Sequence, residues 1–190
     1  MKLLLVGSGA REHALAWKLR QSKLVTELWL WPSAPAMASL GRAFPLGLDA
    51  RLEDVARLAK NQGIDGLVVG PEQPLADGIA DFCQELKIPC FGPLQLAAQL
   101  ESSKAFAKEI MVAAGIPTAS YTSVTGERSC RDSAHECLQR TGGAVIKASG
   151  LASGKGVFVC TDTAAIDAAV ERLYRSGMAK AAETVVIEEI

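Results

Sequence analysis

Three features are missing from this chain of 190 residues, and each absence excludes a class of protein. No apolar run approaches the roughly eighteen residues that a membrane-spanning helix requires. The formal net charge is only −1, so the chain has no general attraction to nucleic acid or to an anionic membrane. The five cysteines form no C-x-x-C pair. Their odd number and loose spacing predict reduced, mostly buried thiols in a cytoplasmic protein rather than a disulfide framework or a zinc site.

The most informative stretch that is present is VIKASGLASGKGVFV, residues 145–159. Two short runs with strand-like composition enclose a loop that contains three glycines and Lys155, and Lys147 ends the first run. Glycines let backbone N–H groups approach a ligand closely, and two ammonium groups attract anions. The spacing does not fit a Walker loop, because Gly156 stands where Ser or Thr is required. The pattern predicts a glycine-rich hairpin that closes over a polyphosphate.

The first hundred residues alternate between strand and helix patterns. Strands are predicted at 3–6, 27–31, 66–69 and 88–91, and helices at 11–21, 52–62 and 75–86. Helices of this length between strands favour parallel pairing, so the predicted fold is α/β with a doubly wound parallel sheet. A further helix at 94–114 is predicted in two parts, with Ser102 as the N-cap between them.

The pattern changes after residue 118 to a hairpin with helices on one side, which favours a small α+β subdomain. The predicted organisation is a substrate domain at 1–102, a helical linker at 103–118 and a subdomain at 119–190. We expect that subdomain to be incomplete at its C-terminal end, since the chain stops inside an apolar strand at Ile190. The tryptophans at 17, 29 and 31 are expected to pack in a core.

Two further motifs follow predicted strands. GSGAREH, residues 7–13, opens the first helix, where free N–H groups favour an anion and Arg11 adds a cation. A dinucleotide site is the competing interpretation, but Glu12 replaces the third glycine and no acid ends the second strand. GPEQPL, residues 70–75, places Glu72 at the carboxyl edge of the third strand, where it either binds a ligand or begins a helix.

Charged residues at the ends of apolar strands also have either a functional or a purely structural interpretation. Lys147 needs a counter-anion if its strand is buried. For Glu188 and Glu189 the simpler expectation is a solvated strand end. Lys104, in the first turn of its helix, opposes the helix dipole and is on its own expected to be an ordinary exposed lysine.

Taken together, these motifs resemble the glycinamide ribonucleotide synthetase (phosphoribosylamine–glycine ligase) family of the ATP-grasp superfamily. Seven collinear segments over nearly the whole chain carry the resemblance: residues 6–19, 69–79, 91–93, 99–108, 115–119, 147–157 and 187–189. The resemblance implies a pre-ATP-grasp domain followed by the small, flap-bearing subdomain of an ATP-grasp domain. It also implies a ligase of purine biosynthesis that joins glycine to 5-phosphoribosylamine, with ATP, through glycyl phosphate.

The resemblance assigns roles to particular residues. The implied ATP-binding residues are Lys104, Lys147, Gly150, Leu151, Ser153, Gly154, Lys155, Gly156, Glu188, Glu189 and Ile190. The implied phosphoribosylamine-binding residues are Gly9, Arg11, Glu12, Pro71 and Glu72. Ligands for Mg²⁺ or Mn²⁺ are expected beyond Ile190, so no metal ligand and no complete catalytic set is expected within the chain, and the chain alone is expected to show no turnover.

One departure from the family pattern lies at residues 32–37, where PSAPAM lacks the glycines and the asparagine that the family usually has. Three alternatives remain at this stage: another ATP-grasp carboxylate–amine ligase or carboxylase, a nicotinamide-dependent oxidoreductase, and a non-catalytic nucleotide-binding module.

Overall fold

A computed structural model of the chain describes residues 1–151, 155–179 and 183–190. The chain divides into two compact units, Met1–Ala98 and Gln99–Ile190. Within the described ranges, no helix combines the length and the apolar character that a membrane crossing requires. All five cysteines are free thiols, and four of them are buried as the sequence predicts.

The first unit is a parallel α/β sheet with helices on both faces. Its elements in chain order are β1 (Lys2–Val6), α1 (Ala10–Arg20), β2 (Glu27–Trp31), a 3₁₀ turn (Pro35–Met37), β3 (Arg42–Ala43), α2 (Leu52–Asn61), β4 (Gly66–Val69), α3 (Glu72–Ala76), α4 (Ile79–Glu85) and β5 (Cys90–Phe91). The strand order is β3-β2-β1-β4-β5, and every neighbouring pair is parallel. This confirms the doubly wound parallel sheet predicted from the alternating pattern.

The two faces of β1 bury alternate residues, as the two-residue period of a strand requires. Leu4 and Val6 pack in one core with Val55 of α2, and Leu3 and Leu5 pack in another with Ala16 of α1. Because both faces are covered, the strand reads in sequence as a continuous apolar run. The order of the strands reverses between β1 and β4, and ligands of open α/β sheets bind at such a switch point.

The second unit carries an antiparallel sheet. Its described elements are α6 (Lys104–Ala113), β6 (Tyr121–Thr125), α7 (Glu127–Thr141), β7 (Ala144–Ala148), β8 (Val157–Cys160), α8 (Thr163–Arg175) and β9 (Thr184–Glu188), with α5 (Gln95–Ser102) running across the division from the first unit. Among the described residues the strand order is β6-β9-β7-β8. β7 and β8 form the predicted hairpin.

Helices α7 and α8 cover one face of this sheet. Ile146 of β7 and Ile187 of β9 are buried there with Ile166 and Leu173 of α8. The N-cap of α8 is Asp162, whose carboxylate accepts a hydrogen bond from the N–H of Ala165 at 2.8 Å. α6 packs against β9. The opposite face of the two central strands carries Lys147 and Glu188, each one residue along from a core isoleucine.

Three sequence predictions are wrong in detail. The N-cap of α6 is Ser103 and not Ser102, because the Ser103 hydroxyl accepts from the N–H of Phe106. The single helix predicted at 75–86 is two helices, because Gly78 adopts a left-handed conformation with φ of +90° between them. Trp17 is 56% exposed on α1 and not in a core, whereas Trp31 is buried.

Candidate functional site

The first candidate site lies on the sheet face that α7 and α8 leave uncovered. Lys147 is paired in register with Val186 and Glu188 with Val145, so Lys147 and Glu188 are diagonal neighbours on adjacent antiparallel strands. Lys147 Nζ donates to Glu188 Oε2 at 2.7 Å. Only 8% of the Glu188 side chain is exposed, against 24% of Lys147. The counter-anion predicted for Lys147 is therefore Glu188, and the expectation that Glu188 is a solvated strand end is wrong.

A second ammonium group, which the sequence did not single out, contacts the same carboxylate. Lys108 of α6 places Nζ 3.3 Å from Glu188 Oε2, and 9% of its side chain is exposed. The same Nζ donates to Thr118 Oγ1 at 2.6 Å and to the carbonyl oxygen of Ala119 at 3.1 Å. Burial of a charge is costly unless it is paired and hydrogen-bonded, and Lys108 satisfies both conditions.

Lys104 brings a third ammonium group to this region. Its Nζ donates to the carbonyl oxygen of Gly150 at 3.1 Å, at the start of the glycine-rich loop. Burial lowers the pKa of Lys104, and the positive charge of Lys147 lowers it further, whereas Glu101 opposes the shift. A cation whose charged form is disfavoured in this way is stabilised by an arriving anion. We call Lys104, Lys108, Lys147 and Glu188 the lysine cluster.

The start of the glycine-rich loop is fixed to α6 and to β9. The Ser149 hydroxyl accepts from the N–H of Ala105 at 3.0 Å, and its carbonyl oxygen accepts from the N–H of Lys104 at 2.9 Å. The N–H of Ser149 donates to the carbonyl oxygen of Thr184 at 3.0 Å. Ser149 is 6% exposed. The serine thus holds the first turn of α6 beside the point where β7 enters the loop.

The loop itself is described only at its two ends. Gly150 has open space where a Cβ would be, and Leu151 and Lys155 are exposed. The carbonyl oxygen of Gly156 accepts from the N–H of Ala148 at 2.8 Å, which closes the base of the hairpin. Two of the predicted ATP-binding residues, Ser153 and Gly154, lie outside the described residues.

The segment after β9 is held by hydrogen bonds on two sides. The N–H of Glu189 donates to the carbonyl oxygen of Ser120 at 3.1 Å, and its carboxylate forms an ion pair with Arg140 of α7. The carbonyl oxygen of Glu188 accepts a weak hydrogen bond from the Cys137 thiol at 3.6 Å. Ile190 is exposed beside them.

The second candidate site lies in the first unit, where β1 and β4 end at the switch point. Arg11 Nη1 donates to the carbonyl oxygen of Gly70 at 2.7 Å, and Nη2 donates to Glu72 Oε1 at 3.0 Å. The pKa of Glu72 is lowered, first by a hydrogen bond from its own backbone N–H and then by Arg11. The two motifs that sequence reasoning treated separately therefore meet. We call Gly9, Arg11, Glu12, Pro71 and Glu72 the Arg11 cluster.

Glu12 explains why the fingerprint of a dinucleotide site is broken. Its carboxylate accepts from the N–H of Gly9, the N-cap of α1, at 2.7 Å, and Glu12 is only 4% exposed. A Cβ on Gly7, where φ is +112°, would lie 2.6 Å from Glu12 Cγ, and one on Gly70 would collide with the carboxylate. These glycines make room for a buried carboxylate, which itself occupies one N–H of the helix terminus.

Solved structures share the fold of this chain. It resembles a phosphoribosylamine–glycine ligase from Thermotoga maritima, with a TM-score of 0.72 and 23% identity, over 100% of this chain and 44% of that one. It also resembles the biotin carboxylase domain of the 2-oxoglutarate carboxylase of Hydrogenobacter thermophilus, solved with ADP, with a TM-score of 0.75 and 20% identity over 100% and 44% of the two chains. The chain has the fold of the ATP-grasp ligases.

The sequence identifies the family within that class. Residues 1–101 match the N domain of phosphoribosylglycinamide synthetase, and residues 102–190 match its ATP-grasp (A) domain. The chain belongs to the phosphoribosylglycinamide synthetase family, which confirms the resemblance carried by the motifs. A phosphoribosylamine–glycine ligase from a Nostoc species is 43% identical over 100% of this chain and 44% of its own length. The chain thus spans less than half the length of this relative.

Proposed function

We propose that this chain supplies the N domain and part of the ATP-grasp domain of an enzyme that ligates glycine to 5-phosphoribosylamine. The proposed reaction is ATP + glycine + 5-phosphoribosylamine → ADP + phosphate + glycinamide ribonucleotide, through glycyl phosphate, a step of purine biosynthesis. The observation that carries the proposal is the lysine cluster at the base of a glycine-rich hairpin, in a chain that belongs to this family. The proposed substrates are those of the family, and the lysine cluster provides the positive charge that phosphoryl transfer needs.

The lysine cluster is proposed to bind the phosphates of ATP. Lys108 and Lys147 contact Glu188, and Lys104 feels the charges of Lys147 and Glu101. Three ammonium groups against two carboxylates leave the region with an excess of positive charge. Catalysis of phosphoryl transfer depends largely on positioning and on the stabilisation of negative charge. Lys104 and Lys147 are the proposed direct phosphate contacts. Lys108 is too deeply buried for that role.

The glycine-rich hairpin is proposed to act as a flap over the nucleotide. Its base is fixed through Ser149 and Gly156, which sets the position of the two strands. Residues 150–157, including Ser153 and Gly154, are proposed to cover the phosphates and to keep water from the acyl phosphate. The segment 188–190 is proposed to read the adenine edge through its backbone, with the Glu188 carbonyl accepting from the amino group.

The Arg11 cluster is proposed to line the phosphoribosylamine site. It lies at the carboxyl edge of the parallel sheet, where small ligands of such folds bind. Arg11 offers a guanidinium group for the phosphate or ribose, and Glu72, ionised beside it, offers an acceptor for the amine. Glu12 is proposed to shape the site through the Gly9 loop, since its carboxylate is buried and bonded to that loop.

Mg²⁺ is the proposed companion of the nucleotide. Within the described residues there is no group of three or more His, Cys, Asp or Glu side chains that fits a metal ion. Free cysteine thiols are typical of proteins from a reducing compartment, which supports the proposed cytoplasmic location.

The proposal is tested by a turnover assay on the full-length gene product. We expect ADP release that requires both glycine and 5-phosphoribosylamine, with formation of glycinamide ribonucleotide. Lys147→Met should abolish it, whereas Lys60→Met, an exposed change on α2, should not. ADP release that depends on a different carboxylate would indicate another ATP-grasp ligase. ATP binding without any substrate-dependent ADP release would indicate a non-catalytic nucleotide-binding module. Either result would contradict the proposal.

A further inference from the structure

Glu188 Oε2 forms ion pairs with two ammonium groups at once, and the two groups differ in their other contacts. Lys147 lies 2.7 Å from this oxygen and keeps 24% of its side chain exposed. Lys108 lies 3.3 Å from it and is held on its other side by Thr118 and Ala119. One cation is therefore able to leave the carboxylate for a ligand, and the other is fixed in place.

We propose that Lys108 is a positioning residue that frees Lys147 to bind phosphate. This inference rests on the proposed nucleotide site. When Lys147 turns from Glu188 to an anion, a carboxylate that is 8% exposed would lose its closest partner. A buried charge without a partner is strongly disfavoured. Lys108 keeps the carboxylate paired, because its ammonium group stays beside Glu188 and is not proposed to contact the nucleotide.

The surroundings of Lys108 fit a fixed charge. Its ammonium group donates to a hydroxyl and to a backbone carbonyl, and lies 5.5 Å from the centre of the Tyr121 ring on its aromatic face. Thr118 and Ala119 lead into β6, the strand that pairs with β9 on the side away from Lys147. Glu188 is thus held from the β6 side by Lys108 and from the β7 side by Lys147.

The test is a double-mutant cycle on the full-length gene product, with a non-hydrolysable ATP analogue as the probe. Lys108→Met should weaken analogue binding about tenfold, because Lys147 is then the one ion-pair partner left to Glu188 among the described residues. In a Glu188→Gln background the same substitution should change affinity by less than about twofold, because no carboxylate remains to be neutralised. Lys60→Met serves as the control for loss of a lysine charge elsewhere.

A second readout separates positioning from simple loss of structure. Adenosine has no phosphate for Lys147 to bind, so Lys108→Met should leave the affinity of the protein for adenosine unchanged. A structural defect would instead weaken the binding of adenosine and of the analogue equally. If Lys108→Met does not fold, the comparison of Glu188→Gln with Lys108→Met/Glu188→Gln still decides, since neither variant contains the buried carboxylate. A tenfold difference between those two, or an unchanged analogue affinity in a folded Lys108→Met, would overturn the inference. Absence of analogue binding by the parent protein would instead overturn the proposed function.

Discussion

Lys147 Nζ lies 2.7 Å from Glu188 Oε2, across two antiparallel strands that are both central in their sheet. The pair is diagonal in the register, on the face opposite the buried isoleucines. Because Lys108 reaches the same oxygen, the carboxylate has an ion-pair partner on either side. This arrangement gives the buried carboxylate an opposite charge both from α6 and from β7.

The first prediction concerns stability of the lysine cluster. Lys147→Met should lower the free energy of unfolding by only about 1–2 kcal/mol, because Lys108 continues to neutralise Glu188. Lys108→Met/Lys147→Met leaves Glu188 buried without a cation and should cost about 3–5 kcal/mol. Urea denaturation of the parent, of Lys108→Met, of Lys147→Met and of the double variant measures these differences. A loss in the double variant that equals the sum of two small single losses would contradict the shared-partner arrangement.

The second prediction concerns the space around Glu12. Gly70→Ala should destabilise the protein by about 2–3 kcal/mol, because the new Cβ would collide with the Glu12 carboxylate. In a Glu12→Ala background the same change should cost less than about 1 kcal/mol, because the collision partner is gone. Chemical denaturation of the four proteins completes the cycle. An equal cost of Gly70→Ala in both backgrounds would show that Glu12 is not what requires glycine at this position.

The third prediction is a pH dependence of nucleotide binding. Burial and Lys147 lower the pKa of Lys104 below its ordinary value of 10.5, and only the protonated amine attracts phosphate. Affinity for the ATP analogue should therefore be full at neutral pH and fall as pH rises through the lowered pKa, before an exposed lysine would deprotonate. Lys104→Arg, which stays charged, should remove this early decline. Calorimetric titrations across the alkaline range measure it, and an unchanged decline in Lys104→Arg would assign the effect to another group.

The fourth prediction concerns Tyr174 of α8. Its hydroxyl is buried without a hydrogen-bond partner among the described residues, and burial raises its pKa from 10.0 to about 12. The unfolded chain releases this proton near pH 10 and the folded chain only near pH 12, so stability should fall with rising pH between these values.

Tyr174→Phe should remove that fall and should stabilise the protein by about 1 kcal/mol at neutral pH. It should also abolish the release of a tyrosine proton near pH 12 in a spectroscopic titration. Loss of stability on this substitution would mean that the hydroxyl has a favourable contact.

The sequence predicted the parallel sheet well because its strands are buried on both faces and read as short, continuous apolar runs. The sequence also predicted that Lys147 needs a counter-anion, since an ammonium group at the end of a buried strand is costly without one. The sequence did not predict that Glu188 is this anion. Local pattern does not say that β9 lies between β6 and β7, and this central position is what buries Glu188.

Lys108 was missed for a related reason. In the sequence, Lys108 looks like an ordinary charged residue of a helix. Only the packing of α6 against β9 brings it to Glu188. The two-helix region after β4 depends on one left-handed glycine, Gly78, whose conformation the apolar period does not reveal. The assignment of the N-cap to Ser102 was one residue off, because adjacent serines offer the same hydroxyl and geometry decides between them.

The most direct test of the central claim is a calorimetric titration of the full-length gene product with a non-hydrolysable ATP analogue. Saturable heat is expected from the parent protein and from Lys60→Ala, and it should be lost from Lys147→Ala/Lys155→Ala, which removes the two ammonium groups that flank the glycine-rich hairpin. Undiminished heat from the double variant would contradict the claim that this hairpin and its lysines hold the triphosphate.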